Sequence, residues 1–208
     1  LVKVNGKVIL KCSFDFIDGE IIITEREIDY VSRGGYKLNQ AINNFKLNLN
    51  DSLVLDIGAS TGGFTDCCLR NGARHVFALD VGTLQLSPKL RNDPRVTSIE
   101  NMNFKDAKPS DLNDNIFDFI VIDVSFISLE HIFANLKLFT DNETKIVALI
   151  KPQFELGDIS IANKGIISKK EDHLLAIKLV EKRANKYGFY LEKLTFSPIV
   201  GEKKGNIE

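Results

Sequence analysis

Four charged residues, Asp56, Asp80, Asp123 and Lys151, each close a short apolar run. The first run leads into Asp56-Ile-Gly-Ala-Ser-Thr-Gly-Gly-Phe-Thr65, an acid followed by glycines at 58, 62 and 63. Glycines in such a turn let backbone approach a nucleotide-like ligand closely. The spacing D-x-G-x-x-x-G-G is neither the dinucleotide fingerprint nor a P-loop. With an acid at the strand end, S-adenosylmethionine is the best remaining ligand; the alternative is a purely structural turn. Asp80 is placed either to accept both hydroxyls of a ribose or to serve as a plain strand-end acid. Asn103 follows the third run and could read an adenine edge, with Met102 covering the ring.

Absent motifs narrow the reaction. Where amino-group methylation of bases uses an Asn/Asp-Pro-Pro-aromatic loop, this chain has Ile122-Asp-Val-Ser-Phe126. Pyrimidine C5 methylation needs a nucleophilic cysteine beside the substrate, whereas Cys67 and Cys68 fall in the helix after the glycine turn and read as packing residues. What remains is Asp123 near Lys151, with Lys37 arriving from upstream. The pair is either a simple ion pair or a lysine tuned by carboxylates and a second cation towards use as a base. The latter suits deprotonation or orientation of a sugar hydroxyl for in-line attack on a sulfonium methyl. Lys37, taken alone, is an ordinary helix lysine.

These residues need a frame to bring them together. Apolar strands at Leu53–Asp56, His75–Asp80, Arg95–Ile99, Phe117–Asp123 and Lys145–Ile150 alternate with helical patterns. The helices are expected at Tyr36 to Phe45, Gly63 to Arg70, Leu84 to Leu90, Ser128 to Phe139 and Ser168 to Tyr187. A further strand is expected at Tyr190–Phe196. Continuous apolar strands alternating with helices imply an α/β fold with a mostly parallel, doubly wound sheet. Ligands bind such sheets beyond the carboxyl ends of the strands, where all four charged residues fall. Ser32 could cap the first helix, and Gly34-Gly35 could admit a ligand's close approach. Upstream, residues 1–24 read as short strands with an Asn5-Gly6 hairpin turn, and residues 25–31 as a charged link. Lys3, Lys7 and Lys11 there are either a solvated edge or phosphate contacts.

Composition sets the outer bounds. The 208 residues are 44% hydrophobic and 26% charged, ordinary for a globular chain. No run of about 18 apolar residues is present, so no membrane span is expected. Three cysteines, two of them adjacent, suit reduced thiols in a cytoplasmic protein, and no metal site is expected. The net charge of −1 argues against indiscriminate polyanion binding. It is unevenly spread, −6 over residues 51–144 and +4 over residues 145–208, so a local basic face is open. The chain starts at Leu1 and stops at Glu208 as if in mid-strand, which reads as a trimmed chain.

Six ordered motifs resemble one family. They are Ser32-Arg-Gly-Gly-Tyr-Lys-Leu38, Asp56-Ile-Gly-Ala-Ser-Thr-Gly-Gly-Phe-Thr-Asp66, Asp80-Val-Gly82, Ile122-Asp-Val-Ser-Phe-Ile-Ser128, Lys151-Pro-Gln-Phe-Glu155 and Gly205-Asn-Ile-Glu208. Together they resemble the hemolysin-A (TlyA) family of FtsJ-like ribosomal RNA 2′-O-methyltransferases. The resemblance implies a Rossmann-like methyltransferase fold over residues 32–208, and residues 1–24 as the end of an S4-like RNA-binding domain. It implies S-adenosylmethionine held by Asp56, Gly58, Ala59, Ser60, Thr61, Gly62, Gly63, Phe64, Asp80, Val81, Asn103 and Asp123. It implies a Lys-Asp-Lys-Glu tetrad of Lys37, Asp123, Lys151 and Glu208, with Lys151 closest to the target hydroxyl. The implied partner is ribosomal RNA within ribosomal subunits, with cytidine ribose as target. Arg33 is expected to meet an RNA phosphate or a structural acid. Competing readings are a membrane-lytic protein and a cofactor-binding protein that has lost catalysis. The absence of a strongly amphipathic basic helix speaks against the first.

Overall fold

The computed structural model describes residues 2–5, 7–9, 15, 18–19, 21–23, 30–157, 165–199 and 205–208. Gly6, Lys11, Thr24, most of the 25–31 link, residues 158–164 and residues 200–204 lie outside the described residues, together with what the sequence led us to expect of them. In the N-terminal segment β1 (Val2–Val4) pairs antiparallel with both β2 (Lys7–Ile9) and β3 (Ile21–Ile23). Val4 faces Lys7 across the expected hairpin, and Asn5 takes the left-handed conformation at φ 49°.

Helix α1 (Gly34–Phe45) precedes a regular alternation. It runs β4 (Leu53–Ile57), α2 (Gly63–Arg70), β5 (His75–Leu79), α3 (Pro88–Arg91), β6 (Val96–Ile99), β7 (Phe119–Ile122), α4 (Glu130–Leu136), β8 (Lys145–Ala148), α5 (Pro152–Glu155) and α6 (Lys170–Lys186). The five strands β4–β8 form one parallel sheet in the order β6-β5-β4-β7-β8. The order reverses at β4, and the crevice beside that reversal is where such sheets take ligands.

Strand periodicity of two divides the core into two layers. Val54, Val76, Ala78, Phe119 and Val121 pack with Leu38 and Ile42 of α1 and Cys67, Cys68 and Leu69 of α2. Leu55, Ile57, Phe77, Leu79, Ile120 and Ile122 face the opposite layer, with Phe104, Ile132, Phe133, Leu136 and Val180. Asp56 shares the parity of Val54, so its carboxylate is delivered beneath α2 and not into open solvent.

The structure departs from the expected elements in four places. Helix α1 starts at Gly34, two residues before Tyr36, and Ser32 makes no capping bond because Arg33 occupies the cap position. Helix α3 starts at Pro88 and not at Leu84. Proline is suited to a first helical turn, where its missing N–H costs nothing, and Leu84 is left-handed at φ 53°. Helix α4 ends at Leu136, and the rest of the expected span to Phe139 is a 3-10 turn. Residues 190–196 form no strand. Side-chain bonds tie that segment to α1 instead of a ladder: Gln40 Nε2 donates to Phe196 O at 2.8 Å, Asn44 Nδ2 to Thr195 Oγ1 at 2.9 Å and Lys193 Nζ to Phe45 O at 3.1 Å.

Candidate active site

The glycine turn between β4 and α2 depends on backbone that other residues resist. Gly58 sits at φ 82°, and a Cβ added there would lie 2.7 Å from Asp123 O. The ends of β4 and β7 therefore touch through backbone. Gly62 is also left-handed, at φ 97°, as is the non-glycine Ser60 at φ 48°. A Cβ at Gly63 would fall on Ser32 Oγ and 2.9 Å from Gly35 N. The two glycine pairs, 34–35 and 62–63, thus pack the starts of α1 and α2 against each other. This contact, and not capping, accounts for Ser32.

Asp56 is fully buried below the turn. Its Oδ2 accepts from Thr65 Oγ1 at 2.6 Å, while Oδ1 has no hydrogen-bond partner. Burial raises the carboxyl from 3.8 to about 7, opposed by the Thr65 hydrogen bond and aided by the charges of Asp123 and Asp80.

A cavity of about 800 Å³ opens beyond the turn. Gly58, Ala59, Ser60, Thr61, Gly63 and Phe64 form one wall, and Lys37, Asp123, Ser125, Lys151 and Glu208 another. Arg33 also borders it. Lys37 comes from the first turn of α1, Asp123 from the residue after β7, and Lys151 from the lead into α5. Glu208 comes from a segment held by Ser197 N, which donates to Glu208 O at 2.8 Å. Nearby, buried Asn206 accepts from Ile167 N at 2.9 Å and donates to Gly165 O at 2.9 Å.

The four tetrad residues converge. Lys37 Nζ lies 2.5 Å from Glu208 Oε2 and 4.0 Å from Asp123 Oδ2. Lys151 Nζ lies 2.5 Å from Asp123 Oδ1 and donates to Ser125 Oγ at 2.8 Å. Asp123 is shared between the two lysines, one oxygen to each. The cluster thus brings together two lysines and two carboxylates.

The remaining expected residues fall elsewhere. Asp80, Val81 and Asn103 stand at the ends of β5 and β6, outside the cavity wall. Asp80 accepts from Ser60 N at 2.8 Å and Gly82 N at 2.7 Å, so it buttresses the glycine turn from the side. Val81 is 66% exposed. Asn103 Oδ1 accepts from Lys105 N at 3.2 Å, capping the 3-10 turn Phe104–Asp106. Gly62 faces Leu86 and Leu90 across the turn. Ser125 and the aromatic pair Phe126–Phe154, ring centroids 5.3 Å apart at the cavity mouth, were not singled out by sequence.

A buried clamp joins the loops that carry Asp123 and Lys151. Glu155 accepts from Ser128 Oγ at 2.7 Å, Leu129 N at 2.9 Å and Arg183 Nη1 at 2.7 Å. It ties α5 and the loop after β7 to α6. Among the described residues no group of three His, Cys, Asp or Glu side chains is placed to hold a metal ion. None of their helices is long and apolar enough to cross a membrane.

A parallel sheet reversing at β4, with an acid and a glycine turn after that strand, defines a Rossmann-like methyltransferase. The donor set fits S-adenosylmethionine, the cofactor of that class. An apolar ring at Phe64 and the open backbone of Gly58–Gly63 share one cavity with the acid Asp123, which can face a sulfonium. More particularly, the chain belongs to the FtsJ-like methyltransferase family, whose sequence profile matches residues 30–207. It is 44% identical to Hemolysin A of Brachyspira hyodysenteriae, covering 100% of this chain and 86% of that one. It is 37% identical to the 16S/23S rRNA (cytidine-2′-O)-methyltransferase TlyA of Mycobacterium tuberculosis, over 90% of this chain and 69% of that one. A solved candidate hemolysin from Streptococcus thermophilus superposes with a TM-score of 0.83 at 46% identity, over 91% of this chain and 68% of that one.

Proposed function

We propose that the chain methylates the ribose 2′-hydroxyl of a cytidine in ribosomal RNA, with ribosomal subunits as its partners in the cytoplasm. The observation that carries this is the convergence of Lys37, Asp123, Lys151 and Glu208 on the wall facing the glycine turn. The activity of the Mycobacterium tuberculosis relative, a 16S/23S rRNA (cytidine-2′-O)-methyltransferase, supports the RNA and the cytidine.

S-Adenosylmethionine, when bound, supplies an electrophilic methyl on a cationic sulfur. The glycine turn Asp56–Phe64 holds its methionine end, and Asp80 receives the ribose with the lone pairs left after its two backbone bonds. Val81 and Asn103 flank the adenine. With the cofactor bound as methyl donor, Lys151, as the neutral amine, would take the proton of the 2′-hydroxyl as that oxygen is methylated. Asp123 orients Lys151, and Lys37, held by Glu208, orients Asp123. No charge accumulates, because loss of the sulfonium charge accompanies protonation of the lysine; alignment supplies the acceleration. Phe126 and Phe154 at the mouth offer flat faces for an unstacked base, and Arg33 a phosphate contact. Residues 1–24 belong to an S4-like RNA-binding domain, 25–31 to a linker and 32–208 to the methyltransferase domain.

The test is transfer of labelled methyl groups from S-adenosylmethionine to ribosomal subunits, with Lys151→Ala as control. The substitution is expected to lower the rate by roughly 10² to 10⁴ and leave cofactor affinity intact. Equal labelling by both proteins, or label on a base, would overturn the assignment.

A further inference from the structure

We propose that Ser125 is a positioning residue for this transfer, fixing with Asp123 the direction in which Lys151 presents its lone pair. This rests on the reading of Lys151 as proton acceptor. A neutral amine carries two N–H bonds and one lone pair in a tetrahedral arrangement about nitrogen. Ser125 Oγ, accepting at 2.8 Å, takes one of those directions, while Asp123 Oδ1 lies 2.5 Å from the nitrogen as an ionic neighbour and not as its hydrogen-bond acceptor. Lys151, Asp123 and Ser125 all border the cavity in which the substrate hydroxyl would meet the lone pair. Without the serine acceptor, the amine turns about its Cε–Nζ bond among three staggered positions, and the lone pair faces the hydroxyl only part of the time.

The backbone around Ser125 is built to hold it. The next residue, Phe126, is left-handed at φ 66°, a conformation that is uncommon for a bulky residue and strains the backbone. Such strain persists only where surroundings over-determine the chain. Here Val124 Cγ1 would lie 3.3 Å from a Cβ at Gly58 on one side of Ser125. On the other side, Ser128 and Leu129 are pinned to Glu155. The loop is fixed at both ends, with the serine hydroxyl turned to the lysine between them.

The decisive comparison is Ser125→Thr with Ser125→Val, which are alike in shape and differ in the hydroxyl. Steady-state methyl transfer to ribosomal subunits is measured with calorimetric titration of S-adenosylmethionine. Thr is expected to keep kcat within about twofold. Val is expected to lower kcat roughly tenfold, the worth of one ordinary hydrogen bond, with RNA KM and cofactor affinity unchanged. Equal kcat for Thr and Val, or a loss confined to KM, overturns the role of Ser125 while leaving the methyl transfer standing. A wild-type protein that transfers no methyl group overturns both.

Discussion

Asp56→Asn should remove a pH dependence of stability that burial imposes. The folded carboxyl titrates at about 7 against an ordinary value of 3.8, chiefly because it is fully buried. Below pH 4 the folded and unfolded chains both hold this proton, and no penalty exists. Between pH 4 and 7 the unfolded chain ionises while the folded one keeps its proton. Stability therefore falls as pH rises and levels off once the folded group has ionised. The gap between the two values corresponds to on the order of 4 kcal/mol, which is an upper bound for the net effect. Asn keeps an oxygen for the Thr65 hydroxyl, now 2.6 Å from Asp56 Oδ2, and carries no charge. The expected outcome is variant and wild type of similar stability at pH 4.5, and a more stable variant at pH 7.5, by up to a few kcal/mol. Urea unfolding at several pH values, without added cofactor, measures this. The chain has no tryptophan, so far-ultraviolet circular dichroism is the signal. A stability difference that stays flat from pH 4.5 to 7.5 would refute the reasoning.

Glu155→Ala should cost about 3 kcal/mol, because it strips the Leu129 N–H of its acceptor and leaves Arg183 facing a site without its carboxylate. The melting temperature reads this, and an unchanged value would mean that the clamp is not an anchor. Cys67 and Cys68 should resist thiol reagents at pH 8 in a Cys12→Ser background, then react fully in urea. Burial pushes Cys67 up to about 12 and Cys68 well above its usual range. Rapid labelling of the folded protein would contradict the packing of α2.

The sheet and its four strand-end charges were legible because parallel, doubly covered strands need continuous apolar runs, which end where the chain meets ligand. Tyr190–Phe196 carries the same apolar signature without being a strand. What decides its state is whether a ladder partner or side chains of α1 take its backbone, and periodicity does not encode that. The helix expected from Leu84 starts instead at Pro88, a matter of which side of the proline the helix lies. Lys37 and Glu208 carry no local sign of each other, and their pairing came from a family resemblance alone. Ser125 was silent for a related reason. A serine after a strand is commonplace, and only the folded chain sets it beside Lys151, 26 residues away.

The contact between Lys37 and Glu208 spans 171 residues of sequence. Closing so long a loop costs more entropy than any contact within the sheet, and such pairings form late. Until then Asp123 is the one carboxylate of the four residues beside both lysines, 2.5 Å from Lys151 but 4.0 Å from Lys37. During synthesis, the donor cradle is complete long before residue 208 leaves the ribosome. On the proposed function, competence for transfer would arrive in a single step with the last of these residues, after the glycine turn has formed.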